Sequence, residues 1–276
     1  MNDIIKCITQ CLLAIVIMIF INGLSPLVGL IPGIGMGDLG YILFHLFIVL
    51  MTFIVFTIWI KKIIKSDLND YRITKPYLSL KWAVLGLSGI GYIYMLFMIF
   101  TQGSWQLNHH IWPVIVVIFI TSLTTAVSEE LFFRGFLMGF IEKSVNTFCG
   151  LLISALIFSF LHLMNGNYDL TNSIIIIVGL FIAGIFYGLV TIYYQTIWAA
   201  ITIHFLFDAT QLFNITTERD YQSVIEYVYH NSSLLITGGQ YGSTVSIITI
   251  SAFLLMSLYL LIRLKRKKHI RESFLF

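Results

Sequence analysis

Apolar residues in this chain come in long runs, with the polar residues gathered between them. Eight such runs, at about 4–23, 39–60, 82–100, 111–143, 148–164, 172–193, 198–213 and 244–261, cover most of the sequence. A run of about 20 apolar residues is the length of a membrane-crossing helix. The pattern therefore predicts an all-α, polytopic membrane protein of about eight transmembrane helices, in one integral membrane domain over 1–276. Turn signals fall where the runs stop: the Gly- and Pro-rich stretch from Pro26 to Gly40, and Asn165-Gly166-Asn167. Gly33-Ile34-Gly35-Met36-Gly37 has no following Lys-Ser/Thr and reads as a hairpin, not a phosphate-binding loop. Gly184 and Gly188, four apart in the sixth run, give a small face that lets another helix come close.

Composition agrees with this reading. Only 11% of the residues are charged and 58% are hydrophobic, where a soluble domain has about a quarter charged. The net charge of +3 comes from Lys and Arg that flank apolar runs, so nucleic acid is not an expected partner and the lipid bilayer is. With eight crossings, all but Arg134 and Arg219 of the 16 Lys and Arg residues fall on one face. By the positive-inside rule both termini are expected in the cytoplasm, with the protein in the cell membrane. The basic loop at 61–81 reads as part of that orientation signal and as a headgroup contact. The first run, preceded by only Lys6 against Asp3, reads as a retained helix. Cys7, Cys11 and Cys149 read as buried free thiols.

Against that apolar background, a few ionisable groups stand out, and such groups at membrane depth are costly and functional by default. Glu130 and Arg134 are four residues apart with the acid first, the favourable order for an ion pair on one helix face. Glu129 points about 100° away and is left without a partner on its own helix, which suits a general base or acid. His162 follows Phe158 by one turn, and His204 and Asp208 share a face at the same spacing. Asp208 could orient the imidazole or join it in one polar pocket or metal site. Together Glu129, His162, His204 and Asp208 form a kit for activating water and stabilising an oxyanion. There is no HExxH, so no zincin-type site is indicated, although the ligand types would also serve a divalent ion such as zinc. His45 reads as a helix–helix hydrogen bond, and His109-His110, beside Trp112, as an interfacial pair.

Glu129-Glu130-x-x-x-Arg134, Phe158-x-x-x-His162 and His204-x-x-x-Asp208, in this order on three separate helices, resemble the signature of the CPBP family. These are the CAAX-protease and bacteriocin-processing (Abi) intramembrane proteases. The resemblance covers about residues 111–213, the expected catalytic core. It implies an intramembrane endopeptidase that hydrolyses a membrane peptide or protein, with Glu129 as the base that activates water. His162 would assist that water or the oxyanion, His204 and Asp208 would complete the oxyanion-stabilising side, and Glu130, Arg134 and Phe158 would support the site. The family commonly has Asn and sometimes Asp at the last position, so Asp208 keeps a cation in play; the preferred mechanism is metal-free with no cofactor. Bacteriocin maturation, immunity and peptide signalling are roles that the resemblance brings with it. Two rival readings are a non-catalytic immunity or scaffold protein of the same fold and a proton-coupled transporter. The absence of an internal repeat weakens the transporter.

Overall fold

A computed structural model describes residues 3–31, 35, 37–108, 111–230 and 233–273. His109-His110 and part of the Gly33–Gly37 turn lie outside the described residues. The helices are α1 (Asp3–Leu24), α2 (Asp38–Ile58), α3 (Leu80–Phe100), α4 (Ile111–Glu130), α5 (Met138–Ser144), α6 (Thr147–Leu161), α7 (Leu170–Tyr194), α8 (Ile197–Asp208), the single turn α9 (Leu234–Thr237) and α10 (Ile247–Ser273). Among the described residues, seven helical segments are long and apolar enough to cross a membrane. The chain is an all-α polytopic membrane protein, as it must be when no water is present to satisfy an open backbone.

The eighth apolar helix differs from the expectation in length. At 12 residues, α8 is about 18 Å long, against a bilayer core of about 30 Å. It packs among α3, α4 and α7 inside the bundle, so its length need not match the lipid. Its ends still reach opposite sides. The Ile197 N–H donates to the Arg72 carbonyl at 3.0 Å, in the loop before α3, and beyond Leu212 the chain enters a strand on the other side.

That strand belongs to a small sheet between the helices' outer connections. β1 (Gly103–Leu107) pairs antiparallel with β3 (Ile225–Tyr229), and β2 (Phe213–Thr216) pairs parallel with β3. The sheet ties the α3–α4 connection to the α8–α10 connection. Gly103 is needed there, because a Cβ at that position would lie 2.6 Å from the Tyr227 ring. Fully buried Glu226 holds the sheet's loop. Its carboxylate accepts from Arg219 Nε at 3.1 Å and from the backbone N–H groups of Tyr221 at 2.8 Å and Asp220 at 3.3 Å. Burial pushes the Glu226 carboxyl up, but these hydrogen bonds and that from Asp220 outweigh it and leave the group below the usual carboxylate range.

On the other side, the 61–81 loop is more than the orientation signal and headgroup contact expected of it. Tyr71 and Ile73 are buried, and Arg72 makes two hydrogen bonds to Glu142, at 2.6 and 2.9 Å. The loop can dock because α5 and the turn before it present glycines. A Cβ at Gly139 would come within 2.8 Å of the Tyr71 ring, and one at Gly135 within 3.1 Å of Ile73. Lys143 closes the contact on Asp70 at 3.0 Å. A hydrogen bond from Ser66 and the Lys143 ammonium hold the Asp70 carboxyl below its ordinary range.

The α6–α7 packing follows the glycine face read from the sequence. A Cβ at Gly184 would sit 2.9 Å from Ala155 of α6, and one at Gly188 would meet Leu151. The three cysteines are free, two of them buried and Cys149 half-buried.

The Glu226 anchor yields a first test. Arg219→Leu removes the charged donor and leaves the buried carboxylate on uncharged donors alone, at an expected cost of about 2 kcal/mol. The melting temperature of the detergent-solubilised protein should fall, and an additional Glu226→Gln should recover part of the loss.

Candidate active site

Helix α4 ends at Glu130, and the next seven residues, Leu131–Leu137, form a π-helical stretch before α5 resumes the α-helix. Wide turns of this kind are frequent at functional sites. All seven residues are buried. Phe132 and Phe136 pack on Phe56 of α2, with ring centroids 5.1 and 4.7 Å apart. Aromatic packing thus fixes the segment that carries the charges.

Arg134 and Glu130 form the expected pair, with Arg134 Nη1 at 3.1 Å from Glu130 Oε1 and side chains 2% and 0% exposed. The guanidinium also lies over the Phe158 ring at 4.5 Å from the centroid and donates to the Gly184 carbonyl at 3.4 Å. Cation–π contact and a backbone acceptor thereby compensate a charge held away from water. Glu130 does more than neutralise Arg134. Its Oε1 also accepts from His204 Nδ1 at 2.8 Å, across 74 residues of sequence. Of the alternatives for Asp208, orienting the imidazole does not hold, because Asp208 Oδ1 is 3.6 Å from His204 Nε2, too long for a hydrogen bond, whereas both groups do border one cavity. Glu130 is the orienting group.

The two histidines present the same nitrogen to the same place. His162, at the C-terminal end of α6, donates Nδ1–H to the Phe158 carbonyl at 2.7 Å, since a carbonyl can only accept. Its Nε2 then faces Glu129 at 3.8 Å. His204 likewise spends Nδ1–H on Glu130 and turns Nε2 toward Glu129 at 3.9 Å. Both gaps exceed a direct hydrogen bond and are of a length that one water bridges. Glu129, 20% exposed, is the carboxylate of the pair that meets open space. Glu129, His162, His204 and Asp208 all border one cavity of about 350 Å³. A second cavity, about 440 Å³ between α1, α2, α4 and α6, also reaches Glu129 and His162. A third cavity, about 1140 Å³ between α3 and α10, touches none of the four.

Two placements were not legible from the sequence. Tyr187 of α7 stacks on His204, with centroids 4.6 Å apart and planes 20° from parallel. Its signal was a polar aromatic lying between Gly184 and Gly188. His45 makes no helix–helix hydrogen bond through Nε2, which is buried with no partner among the described residues, and its ring borders both cavities at Glu129.

A catalytic zinc ion takes three protein ligands, and among the described residues no three His, Cys, Asp or Glu side chains are placed to hold one metal ion. No step below passes through a metal ion.

Residues 110–210 match the family model described as type II CAAX prenyl endopeptidase Rce1-like. The match is consistent with the CPBP family. No curated protein and no solved structure matches the chain. The matched stretch spans α4 to α8 and includes every residue of the cluster from Glu129 to Asp208.

The geometry separates two kinds of acid in the matched stretch. Arg134→Ala strands Glu130 in the core, and Glu130→Ala strands Arg134 and releases His204; each should cost about 3–5 kcal/mol. Both variants should show lower membrane abundance on immunoblots and lower melting temperatures in detergent. Glu129→Ala, at the cavity wall, should leave both at wild-type values.

Proposed function

We propose that the protein is an intramembrane endopeptidase that hydrolyses a peptide bond in a membrane-associated peptide or protein through water activated by Glu129. The observation that carries this reading is the Glu129 carboxylate held between His162 Nε2 and His204 Nε2, at 3.8 and 3.9 Å, on a cavity inside the bundle. The match over residues 110–210, whose family model describes a CAAX-type endopeptidase, supports it.

Each group then has a task set by its hydrogen bonds. A water between Glu129 and His162 gives one proton to the carboxylate and keeps the other, which it donates in a hydrogen bond to His162 Nε2, whose lone pair is free because Nδ1 carries the ring proton. The hydroxide attacks the scissile carbonyl carbon. The resulting oxyanion takes a hydrogen bond from His204 Nε2–H, with the doubly protonated ring balanced by Glu130. Asp208 serves the same oxyanion only as the carboxylic acid, a donor equivalent to the Asn amide of its relatives. Protonated Glu129 then delivers its proton to the leaving amine, and the C–N bond breaks. Arg134 acts at one remove, by fixing Glu130. The reaction uses no metal and no cofactor.

With eight helices crossing and the basic residues gathered on the face of the 61–81 loop, we place both termini in the cytoplasm of a cell with this protein in its membrane. Substrates of the kind met in bacteriocin maturation, immunity or peptide signalling fit a site enclosed by helices.

The test is cleavage of an internally quenched peptide with an apolar membrane anchor, in proteoliposomes. Glu129→Ala should lower the rate by about 10²–10⁴-fold at unchanged protein level; full activity in that variant would sink the mechanism. EDTA and phenanthroline should leave the wild-type rate unchanged. A loss restored by one divalent ion would overturn the metal-free reading.

A further inference from the structure

Two polar groups on the cavity wall take no part in the reaction above and have no hydrogen-bond partner among the described residues. Ser122 is 2% exposed, borders the same cavity as Glu129, and its Oγ has no hydrogen-bond partner among the described residues. Its neighbours differ: the Thr121 and Thr124 hydroxyls donate to carbonyls one turn back, at 2.9 and 2.8 Å. His45 Nε2 is also buried and unpartnered. Its ring is fixed by edge contacts to Tyr41 and Phe44, at 4.7 and 5.0 Å between centroids.

The two groups come to the same level. α2 and α4 pack side by side and run in the same direction. Phe56 stands between Phe132 and Phe136, which sets it level with residue 134. Walking back from Phe56 to His45, and equally far along α4, arrives at the turn of Ser122 and Leu123. Ser122 in turn lies two helical turns before Glu129 on one face, a separation of about 10 Å at 1.5 Å per residue.

We propose that Ser122 and His45 form a polar subsite that binds the main chain of the substrate peptide about three residues from the bond that is cut. The proposal rests on the peptidase reading and deepens it. An extended peptide advances about 3.3 Å per residue, so three residues cover the distance from Glu129. A serine hydroxyl donates and accepts, and a neutral imidazole nitrogen does one or the other. The pair therefore suits the N–H and C=O of a strand that has left water. The occupant at this point is neutral, because Glu129 and Asp208 are the only acidic residues lining the cavity among the described residues and no Lys or Arg lines it. Unpaired buried groups are costly, and a bound main chain supplies the partner each of them lacks.

The experiment uses the full-length protein in proteoliposomes and the same quenched, membrane-anchored peptide, with single N-methyl groups placed at successive main-chain nitrogens. In the wild type, the N-methyl group about three residues from the cut should raise KM about tenfold. Ser122→Ala and His45→Phe should each raise KM for the unmethylated peptide about tenfold, hold kcat within about twofold, and no longer respond to that N-methyl group. Melting temperatures equal to wild type exclude a folding origin, and the N-methyl dependence is a readout that a merely structural role would not move. If Glu129→Ala abolishes cleavage while both variants keep the wild-type KM and N-methyl profile, the subsite is refuted and the peptidase reading stands. Cleavage at the wild-type rate by Glu129→Ala removes the reading itself and the subsite with it.

Discussion

A carboxylate buried at 0% exposure inside a membrane bundle has to be answered by the protein, and the way Glu130 is answered organises the rest of this one. One of its oxygens faces both the Arg134 guanidinium and the His204 Nδ1–H. An isolated charge there would cost several kcal/mol, so the three side chains are tied together or the helices do not assemble. Satisfying Glu130 joins the π-helical stretch after α4 to α8, and Arg134 extends the link to α7 through the Gly184 carbonyl and to α6 through the Phe158 ring. Four of the helices that border the cavity, α4, α6, α7 and α8, are held by one desolvated charge network.

Close packing makes that network reachable. Gly184 brings α7 against Ala155 of α6, where a Cβ would be within 2.9 Å, and this places Arg134 in reach of a backbone oxygen. Gly135 and Gly139 let the 61–81 loop dock on Ile73 and Tyr71. That loop receives the first N–H of α8 on the Arg72 carbonyl. The short α8 is thus set at a depth where His204 meets Glu130. With its Nδ1 fixed there, and that of His162 fixed by the Phe158 carbonyl, both rings turn Nε2 toward Glu129. The free acid is flanked because the other groups are already engaged.

Much of this was open to a reading of the chain. The apolar runs determined a polytopic helical bundle, since about 20 apolar residues with few charges have no other stable setting than lipid. The i, i+4 spacing of Glu130 and Arg134 determined their pairing, because helical neighbours on one face are local geometry. The glycines at 184 and 188 marked a close helix contact for the same reason. The small sheet was not foreseen: its strands are short, two of them flank polar loops, and β1 pairs with β3 across more than a hundred residues.

Tertiary structure alone decided the contacts that span sequence. His204 takes its orientation from Glu130, 74 residues away, and not from Asp208, which is its neighbour by spacing. His45, which reads as a helix–helix hydrogen bond, instead leaves Nε2 without a partner among the described residues, beside the cavity. Tyr187 gained its place by stacking on His204. Helical periodicity tells which residues share a face, but it carries no information on which face of another helix they meet. That choice is made by packing and by the need to pair every charge taken out of water, and both are properties of the assembled bundle.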